Sequence, residues 1–414
     1  MRIGLFTDTY APMINGVSTS VEMLKGALEK KGNTVYVITV SPDNMKYNID
    51  EENNIIRIPG IPTGIYDYRL TGIYPVKAVN TIKKLDLDII HSHTEFGIGT
   101  FARLMAFQLN IPLVHTYHTM YEDYTHYITK GYFDKSSKKI VEYLTLFYCD
   151  RTASELIVPT KKTYDLFKEK YKVDKNIHIV PTGIEIERFY EENKDKNKIK
   201  ELNKRYNLNK DDFVCIFVGR LAQEKNILFL FEVIEELVPM IPEIRLLVVG
   251  DGPDYEKYKE IIEEKNLSEH IILTGKVPWK EIPSYYQLAN IFLTASKTET
   301  QGLTVVEAMA SGVVPLCIED ESFLSIVIDD LNGKIFRNEK ECKSIVLELW
   351  KNKEKIKKLS KQARINSERY STKYFAESIL DVYNYALKHR ENRLGVIGKI
   401  VDKIIGDKDE MDNQ

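Results

Sequence analysis

The feature that most constrains the fold is a strand–helix alternation that runs through the chain twice. Short apolar runs rich in β-branched residues, such as RIGLFTD (2–8), alternate with helical segments such as VSTSVEMLKGALEKKG (17–32). The alternation begins again at FVCIFVGR (213–220), after a polar and highly charged stretch over 187–212. Parallel strands need helical crossovers between them. Each series therefore predicts a mostly parallel sheet covered by helices on both faces.

The chain has 414 residues, which is too long for one ordinary domain. We predict an α/β protein of two tandem, doubly wound, Rossmann-like domains that face a cleft, with boundaries at 1–188 and 189–373. A helical segment over 374–393 is expected to return to the first domain, and 394–414 to form an amphipathic helix and a disordered tail. Ligands of such sheets bind beyond the carboxyl ends of the strands. The loops at those ends are therefore the places to search for a site.

Composition excludes several classes of protein. The formal net charge is −3, so the overall charge gives no reason to expect a nucleic-acid partner. The four cysteines lack metal-site spacing, and two of them lie inside strand-like runs, as in a reduced cytoplasmic protein. The amino terminus enters a strand pattern at once, so we expect no signal peptide. The sequence contains no run of about 18 apolar residues, so we expect no membrane-spanning helix.

Two loops of the second half carry an anion-binding pattern. Arg220 and Lys225 flank the turn VGRLAQEKN at the end of a strand, where both can reach an anion held at the start of the next helix. Taken alone, they could equally be a solvated basic pair. The next strand ends in GDGP (250–253), a tight turn that leaves room for a ligand to approach the backbone.

The stretch SKTETQGLTVVEAMASG (296–312) places two carboxylates, Glu299 and Glu307, between two apolar strand patterns. A helix that begins here would direct the backbone N–H groups of Gly302, Leu303 and Thr304 to an anion. The alternative for Glu307 is a capping box with Thr304, which needs no ligand. Two carboxylates that can bind hydroxyls, beside a cationic pocket, favour a nucleoside diphosphate attached to a sugar.

The ordered set GR-x4-K, GDGP and E-x7-E resembles the retaining glycosyltransferases of family 4, which have the GT-B fold, and the resemblance covers essentially the whole chain. It implies that Arg220 and Lys225 hold the diphosphate of the donor. It also implies that Glu307 binds the ribose hydroxyls and that Glu299 binds the hydroxyls of the donor sugar. The N–H groups at 302–304 would complete the sugar–phosphate site.

Two residues of the first half extend the same resemblance. Gly16 opens a helix after the first strand, and the family's glycine at this place lets the backbone touch the diphosphate. His118 ends the strand-like run PLVHTYH and resembles the family's active-site histidine near the donor sugar. The resemblance thus makes His118 and Glu299 the catalytic candidates, although a histidine among several is more often structural.

Two other motifs point to different chemistry. GIGTFA (97–102) has the form of a dinucleotide-binding turn, but the acidic residue expected at the end of the following strand is absent, which disfavours NAD. Asp86 and Asp88 look like the metal-binding Asp-x-Asp of other glycosyltransferases, but they precede their strand. We therefore expect no intrinsic cofactor or metal, with divalent metal at most as a stimulator of a UDP-sugar-dependent reaction.

The acceptor is indicated by a closer resemblance and by a basic aromatic stretch. YHTMYEDYTHYI (117–128) and SKTETQGLTVVEAM are most similar to bacterial diacylglycerol glycosyltransferases that use UDP-glucose. Residues 131–151 mix aromatic side chains with four basic ones, which suits a surface lying on anionic lipid. These basic residues are Lys135, Lys138, Lys139 and Arg151. The alternatives are a helix that packs on its own sheet and membrane contact through LGVIGKIVDKIIGD (394–407) instead.

These observations predict a peripheral enzyme on the cytoplasmic face of the cell membrane. It would transfer a hexose from a UDP-hexose to diacylglycerol or monohexosyl-diacylglycerol with retention of configuration. A transferase acting on a polysaccharide or another soluble acceptor is the alternative within the family. A nucleotide-sugar-binding module without catalysis is the alternative from a different class.

Overall fold

The computed structural model describes residues 1–13, 15–42, 46–62, 69–72, 75–95, 97–118, 142–296, 299 and 301–389. They form two compact units. The first contains the described residues of Met1–Pro159, Thr163–Val180 and Phe375–Gln414, and the second contains Thr160–Lys162 and those of Pro181–Tyr374.

The first unit is built on one large sheet. Its strands are β1 (Arg2–Phe6), β2 (Thr34–Val40), β3 (Asn48–Asp50), β4 (Ile55–Ile58), β7 (Ile89–Ser92), β8 (Leu113–Thr116), β9 (Glu155–Val158) and β10 (Ile177–Ile179), with the hairpin β5 (Gly60–Pro62) and β6 (Arg69–Thr71) beside it. The order in the sheet is β10-β9-β8-β7-β1-β2-β4-β3, and every pair is parallel except β3 with β4. β1 pairs with β2 on one side and with β7 on the other. The strand order therefore reverses between β1 and β7.

Helices cover both faces of this sheet. They are α1 (Gly16–Lys30), α2 (Val76–Lys83), α3 (Gly97–Leu109), the short α4 (Lys161–Asp165) and, far along the chain, α13 (Thr372–Lys388). α1 begins where the Asn15 side chain accepts a hydrogen bond from the Ser18 N–H at 2.9 Å, and it ends before Gly32, whose φ is +80°. Phe375 and Tyr383 of α13 lie in the same hydrophobic core as Ile3 of β1. The predicted return of the C-terminal helix to the first domain is confirmed.

The second unit contains a wholly parallel six-stranded sheet. Its strands are β11 (Phe213–Val218), β12 (Ile244–Val249), β13 (Ile271–Leu273), β14 (Ile291–Thr294), β15 (Val314–Ile318) and β16 (Lys334–Phe336). The order is β13-β12-β11-β14-β15-β16, the order typical of doubly wound dinucleotide-binding sheets. All six residues of β11 are buried, because helices cover both of its faces. The strand order of this sheet reverses between β11 and β14.

The helices of the second unit lie between these strands and after them. They are α5 (Lys196–Arg205), α6 (Ile227–Leu237), α7 (Tyr255–Glu264), α8 (Ile282–Tyr286), α9 (Leu303–Ala310), α10 (Glu321–Leu324), α11 (Glu339–Lys351) and α12 (Lys353–Ser367). The charged stretch 187–212 thus contains α5, whose Leu202 is fully buried. All four cysteines of the chain are free and buried, as expected for reduced core residues. Among the helices in the described ranges, none is long and apolar enough to cross a membrane.

Candidate active site

The strand-order reversal in the second unit brings a lysine and a glutamate together. Lys225 ends a 3-10 turn, Gln223–Lys225, in the loop after β11, and Glu299 lies in the segment after β14. Lys225 Nζ is 2.5 Å from Glu299 Oε1, and each side chain is only 21% exposed. Arg220, in the loop of Lys225, donates from Nη2 to Glu224 Oε1 at 2.5 Å. Both basic residues predicted to hold an anion thus have carboxylate partners in this structure.

The two glycines of the GDGP turn pack closely against the backbone of the loop that follows β11. A Cβ atom on Gly250 would lie 1.9 Å from the Gly219 carbonyl oxygen, and one on Gly252 would lie 2.3 Å from the Leu221 carbonyl oxygen. The Leu221 N–H donates to the Asp251 carbonyl at 3.0 Å. These glycines are therefore explained by backbone packing, which fixes the position of the loop that carries Arg220.

The segment that carries Glu299 is anchored by two neighbouring side chains. Gln301 is buried, and its amide pairs with the backbone of Thr182, accepting from the N–H at 2.8 Å and donating to the carbonyl at 3.0 Å. The Ser322 hydroxyl donates to the Glu299 carbonyl at 2.5 Å. These contacts anchor the backbone at Glu299 and two residues after it.

The helix that follows, α9, has a glycine as its N-cap, which excludes the capping-box alternative for Glu307. The N-cap of α9 is Gly302, with φ +72°, and it makes no side-chain capping bond. Thr304 is the second residue of the helix, so it cannot be the cap that a capping box requires. The N–H groups at the start of α9, those of Leu303 and Thr304, have no acceptor within the helix. They therefore remain suited to an anion.

Glu307 has partners that the sequence patterns did not show. The Tyr286 hydroxyl lies 2.9 Å from Glu307 Oε2 and 3.1 Å from the Thr304 carbonyl oxygen. Burial raises the pKa of the Glu307 carboxyl to about 7, against the opposing effects of the Tyr286 hydroxyl and the Arg188 guanidinium. The Arg188 guanidinium in turn lies 3.6 Å from the centroid of the Trp279 ring. Glu307 is therefore a partly buried carboxyl poised to change charge near neutral pH.

A buried carboxyl, Asp8, and the glycine that begins α1 both follow β1, the strand at which the order of the first sheet reverses. Asp8, which follows β1, accepts from the Ile98 N–H at 2.9 Å and from the Thr94 hydroxyl at 2.5 Å. Burial raises the pKa of Asp8 to about 6. Gly16 is the first residue of α1, and a Cβ atom there would meet nothing within 4 Å. Packing of the protein therefore does not require a glycine at this position.

His118 lies two residues beyond β8 and contacts a second histidine. Its Nε2 is 3.0 Å from His93 Nδ1, and the two rings stack with centroids 5.3 Å apart. Burial lowers the pKa of His118 to about 4, so the imidazole is neutral at physiological pH. His93 directly follows β7. Its contact with His118 has no signal in the sequence, because no local pattern shows which residue a side chain will contact.

One cluster of the first unit contains the atom types that bind metals. Glu95, His115 and Cys149 are buried and carry potential ligand atoms that all lie within 4.8 Å of one another. His115 Nε2 is 3.2 Å from Glu95 Oε1. The buried Arg103 guanidinium acts electrostatically on Glu95 and Cys149, where it supplies positive charge. The cluster could hold a cation only against the repulsion of this arginine.

The two motifs of different chemistry have structural explanations. A Cβ atom on Gly99, the second glycine of GIGTFA, would lie 1.9 Å from the Thr94 carbonyl oxygen. Gly99 is therefore required because α3 begins close to the preceding backbone. Asp88 Oδ2 accepts from the Arg2 N–H at 2.7 Å, just before β7 begins. Backbone packing at Gly99 and the hydrogen bond of Asp88 explain these two residues without a dinucleotide or a metal.

Most of the predicted membrane contact cannot be placed. Lys135, Lys138, Lys139 and the segment 394–414 lie outside the described residues. Arg151 ends a π-helical turn, Phe147–Arg151, and its guanidinium is 5.5 Å from the centroid of the Tyr143 ring.

The two domains and the loop chemistry at their strand ends define a class, the GT-B glycosyltransferases, and comparison with known proteins agrees. The family model "Glycosyltransferase Family 4" matches residues 14–188, and "Glycosyl transferases group 1" matches residues 198–366. The crystal structure of Anabaena Alr3699/HepE in complex with UDP-glucose superposes with a TM-score of 0.68 at 16% identity and covers 93% of this chain and 100% of that chain. This likeness establishes the fold.

Two relatives are similar to this chain over most of its length. Alpha-monoglucosyldiacylglycerol synthase of Acholeplasma laidlawii is 37% identical over 389 residues, which cover 92% of this chain and 96% of the relative. The enzyme of the same name from Streptococcus pneumoniae is 35% identical over 349 residues, which cover 84% and 78%. The chain therefore belongs to the glycosyltransferases of group 1 and family 4, in which it is similar to these two synthases. The family and the enzyme class predicted from the motifs are confirmed.

Proposed function

We propose that this protein transfers glucose from UDP-glucose to diacylglycerol and so makes an α-linked monoglucosyl lipid. The observation that carries the proposal is the grouping of Lys225, Glu299 and the start of α9 where the strand order reverses between β11 and β14. A cation, a carboxylate and free helix N–H groups in one place suit a phosphorylated sugar. The two synthases that resemble the chain over most of its length supply the identity of the sugar and the acceptor.

Each candidate residue receives one role in donor binding. Lys225 and Arg220 hold the diphosphate, and the N–H groups of Gly302, Leu303 and Thr304 assist at its sugar end. Glu307 accepts hydrogen bonds from the ribose, and the Tyr286 hydroxyl, 2.9 Å away, fixes the carboxylate for this purpose. Glu299 binds hydroxyls of the glucose. In the first domain, Gly16 allows the backbone to approach the diphosphate and His118 contacts the sugar.

The reaction proceeds with retention, because UDP-glucose carries an α-linked glucose and the related synthases are named for an α-linked product. The acceptor hydroxyl forms a bond to the anomeric carbon on the face from which UDP departs, as the bond between that carbon and the diphosphate breaks, and the leaving phosphate oxygen takes the proton of the hydroxyl. Catalysis then consists of positioning the two partners and stabilising the charge of the leaving group. Lys225 and Arg220 supply this stabilisation, while Glu299 and His118 position the sugar. Stimulation by divalent cations stays a prediction.

A lipid acceptor requires the enzyme to reach a membrane surface, and the first unit exposes apolar side chains that suit this contact. They are Leu104 and Phe107 of α3 together with Tyr143, Leu144 and Phe147. Phe107 is 69% exposed and Tyr143 is 57% exposed. The two segments touch, since Thr100 Oγ1 of α3 lies 3.0 Å from the Tyr148 hydroxyl. Arg151, with Lys135, Lys138 and Lys139, adds the positive charge that anionic lipids attract, at the inner face of the membrane.

One transfer assay separates this proposal from its alternatives. The protein is incubated with radiolabelled UDP-glucose or UDP-galactose and with anionic vesicles that contain diacylglycerol or monoglucosyl-diacylglycerol. We expect label from UDP-glucose in diacylglycerol. Label only in monoglucosyl-diacylglycerol would make this the enzyme of a second sugar addition, and label only in a soluble saccharide would contradict the lipid acceptor. A protein that binds UDP-glucose but neither transfers nor hydrolyses it would be a binding module.

A further inference from the structure

The proton on His118 can be located from its neighbour His93. Both imidazoles are neutral at physiological pH, because burial lowers the pKa of His118 to about 4 and lowers that of His93 well below its ordinary value. The 3.0 Å contact between His118 Nε2 and His93 Nδ1 therefore contains one proton, carried by one of the two nitrogens. Which nitrogen carries it decides the tautomer of both rings.

The other nitrogen of His93 distinguishes the two arrangements. His93 is 2% exposed, and its Nε2 has no hydrogen-bond partner among the described residues. If His93 Nδ1 accepted from His118, the proton of His93 would sit on Nε2 and leave a buried N–H without an acceptor. If His93 Nδ1 donates, Nε2 carries only a lone pair. Buried N–H groups without partners are rarer than under-satisfied acceptors, so the donating arrangement is favoured.

A third histidine holds the His93 ring in its orientation. The ring of His91 lies against that of His93, with centroids 4.0 Å apart and the ring planes tilted by 35°. Its Nδ1 is 2.7 Å from the Tyr383 hydroxyl and its Nε2 is 2.7 Å from the Thr116 hydroxyl. Both nitrogens of His91 are thus engaged by hydroxyl groups, so His91 offers no free acceptor to a His93 Nε2–H.

We propose that His93 donates its Nδ1–H to His118 Nε2 and so fixes His118 as the tautomer protonated at Nδ1. The remaining nitrogen of His118 is then a hydrogen-bond donor and has no lone pair to take a proton. His118 binds a hydroxyl oxygen of the donor sugar and does not act as a general base. This use rests on the proposed function, whereas the tautomer itself does not. His93 is a positioning residue that acts through His118.

Nitrogen-15 NMR of the full chain labelled at histidine tests the tautomer directly, because protonated and unprotonated ring nitrogens have separate chemical shifts. The chain has eight histidines, and the spectrum of His118→Gln identifies the signals of His118. We expect wild-type His118 to carry its proton on Nδ1 at neutral pH. A proton on Nε2 of wild-type His118 would overturn the proposal without recourse to any variant of His93.

Variants of His93 test its positioning role. His93→Ala should remove the fixed tautomer and lower kcat. The expected size is roughly ten- to a hundredfold, by analogy with the loss of a partner that orients a metal-binding histidine. His93→Asn keeps an amide donor near the position of Nδ1, so it should restore the Nδ1–H tautomer and part of the rate. An Asn variant no better than Ala in both readouts would contradict the role of His93. A confirmed tautomer with unchanged rates in His93→Ala and His118→Gln would instead contradict the proposed contact with the sugar.

Discussion

Lys225 Nζ lies 2.5 Å from Glu299 Oε1, so a residue proposed for the diphosphate and one proposed for the glucose form an ion pair with each other. The pair joins the loops that follow β11 and β14, the two strands between which the order of the sheet reverses. It keeps both charges compensated before the donor arrives. In the proposed donor site, the arriving diphosphate would compete with Glu299 for Lys225, which would tie donor binding to release of the carboxylate for the sugar.

A double-mutant cycle on this pair should show strong coupling. Lys225→Ala should weaken donor binding and transfer by roughly 2–4 kcal/mol, because it removes a charged contact and leaves an uncompensated carboxylate beside the diphosphate. Glu299→Gln alone should chiefly lower kcat. Added to Lys225→Ala, it should restore part of the donor affinity, since the repelling charge is gone. Titration calorimetry with UDP-glucose and steady-state kinetics measure both quantities.

The matched variants for this cycle are Arg220→Ala and Lys259→Ala. Arg220→Ala should also weaken donor binding. Lys259 of α7 is exposed, so Lys259→Ala should change donor binding by less than about twofold. Strictly additive effects of Lys225→Ala and Glu299→Gln would show that the ion pair has no part in donor binding.

Glu307 should give donor use a pH dependence near neutrality. Burial raises the pKa of its carboxyl to about 7, so below this pH the group is protonated and accepts ribose hydroxyls poorly. The ratio kcat/KM for UDP-glucose should therefore rise with pH and level off above about 7, because this ratio reports groups of the free enzyme. Glu307→Gln should raise KM more than it lowers kcat, and it should remove this limb. A limb near 7 that persists in the variant would assign it to another group.

Substitutions at two glycines should distinguish an effect on folding from an effect on donor binding. Gly302 has φ +72°, and a Cβ atom there would lie 2.8 Å from a ring carbon of Phe323, so Gly302→Ala should lower the free energy of unfolding by about 1 kcal/mol or more. Gly16→Ala meets open space and should leave the unfolding free energy within about 1 kcal/mol of wild type. It should nevertheless raise KM for UDP-glucose, because the added methyl group would lie where the diphosphate is proposed to approach the backbone. An unchanged KM would remove Gly16 from the donor site.

The basic stretch of the first domain should govern vesicle binding. Changing Lys135, Lys138 and Lys139 together to glutamate should release the protein from anionic vesicles, since each basic residue near such a surface contributes about 1 kcal/mol. Hydrolysis of UDP-glucose in solution should persist. The charge-matched control replaces three exposed lysines of α12, Lys353, Lys357 and Lys358, with glutamate and should still bind. Binding that survives the first change but is lost on deletion of 394–414 would make the C-terminal segment the anchor.

The architecture was predictable because parallel strands that are buried on both faces have continuous apolar sequences. RIGLFTD contains β1, Arg2–Phe6, and FVCIFVGR contains β11, Phe213–Val218. The strands that were missed lack this signal. β3 is three residues long with two of them exposed, and β5 ends in a proline, so neither has an apolar pattern.

The candidate site was predictable only as far as strand ends reveal it. The loops after β11 and β14 indicated Lys225 and Glu299, because the carboxyl ends of parallel strands share one edge of a sheet. The partners of two other candidates, Glu307 and His118, come from distant segments. Tyr286 reaches Glu307 from another helix, and His93 reaches His118 from a neighbouring strand end. Such contacts depend on packing in three dimensions and leave no pattern in the local sequence.

The most direct test of glucosyl transfer to a lipid with retention is the anomeric configuration of the product. Protein, UDP-glucose and anionic vesicles that contain diacylglycerol are incubated, and the glycolipid is extracted and examined by proton NMR. We predict a monoglucosyl-diacylglycerol whose anomeric proton shows the small coupling constant of an α-linkage. A β-linked product, or active protein that glucosylates only a soluble acceptor, would contradict the proposed reaction.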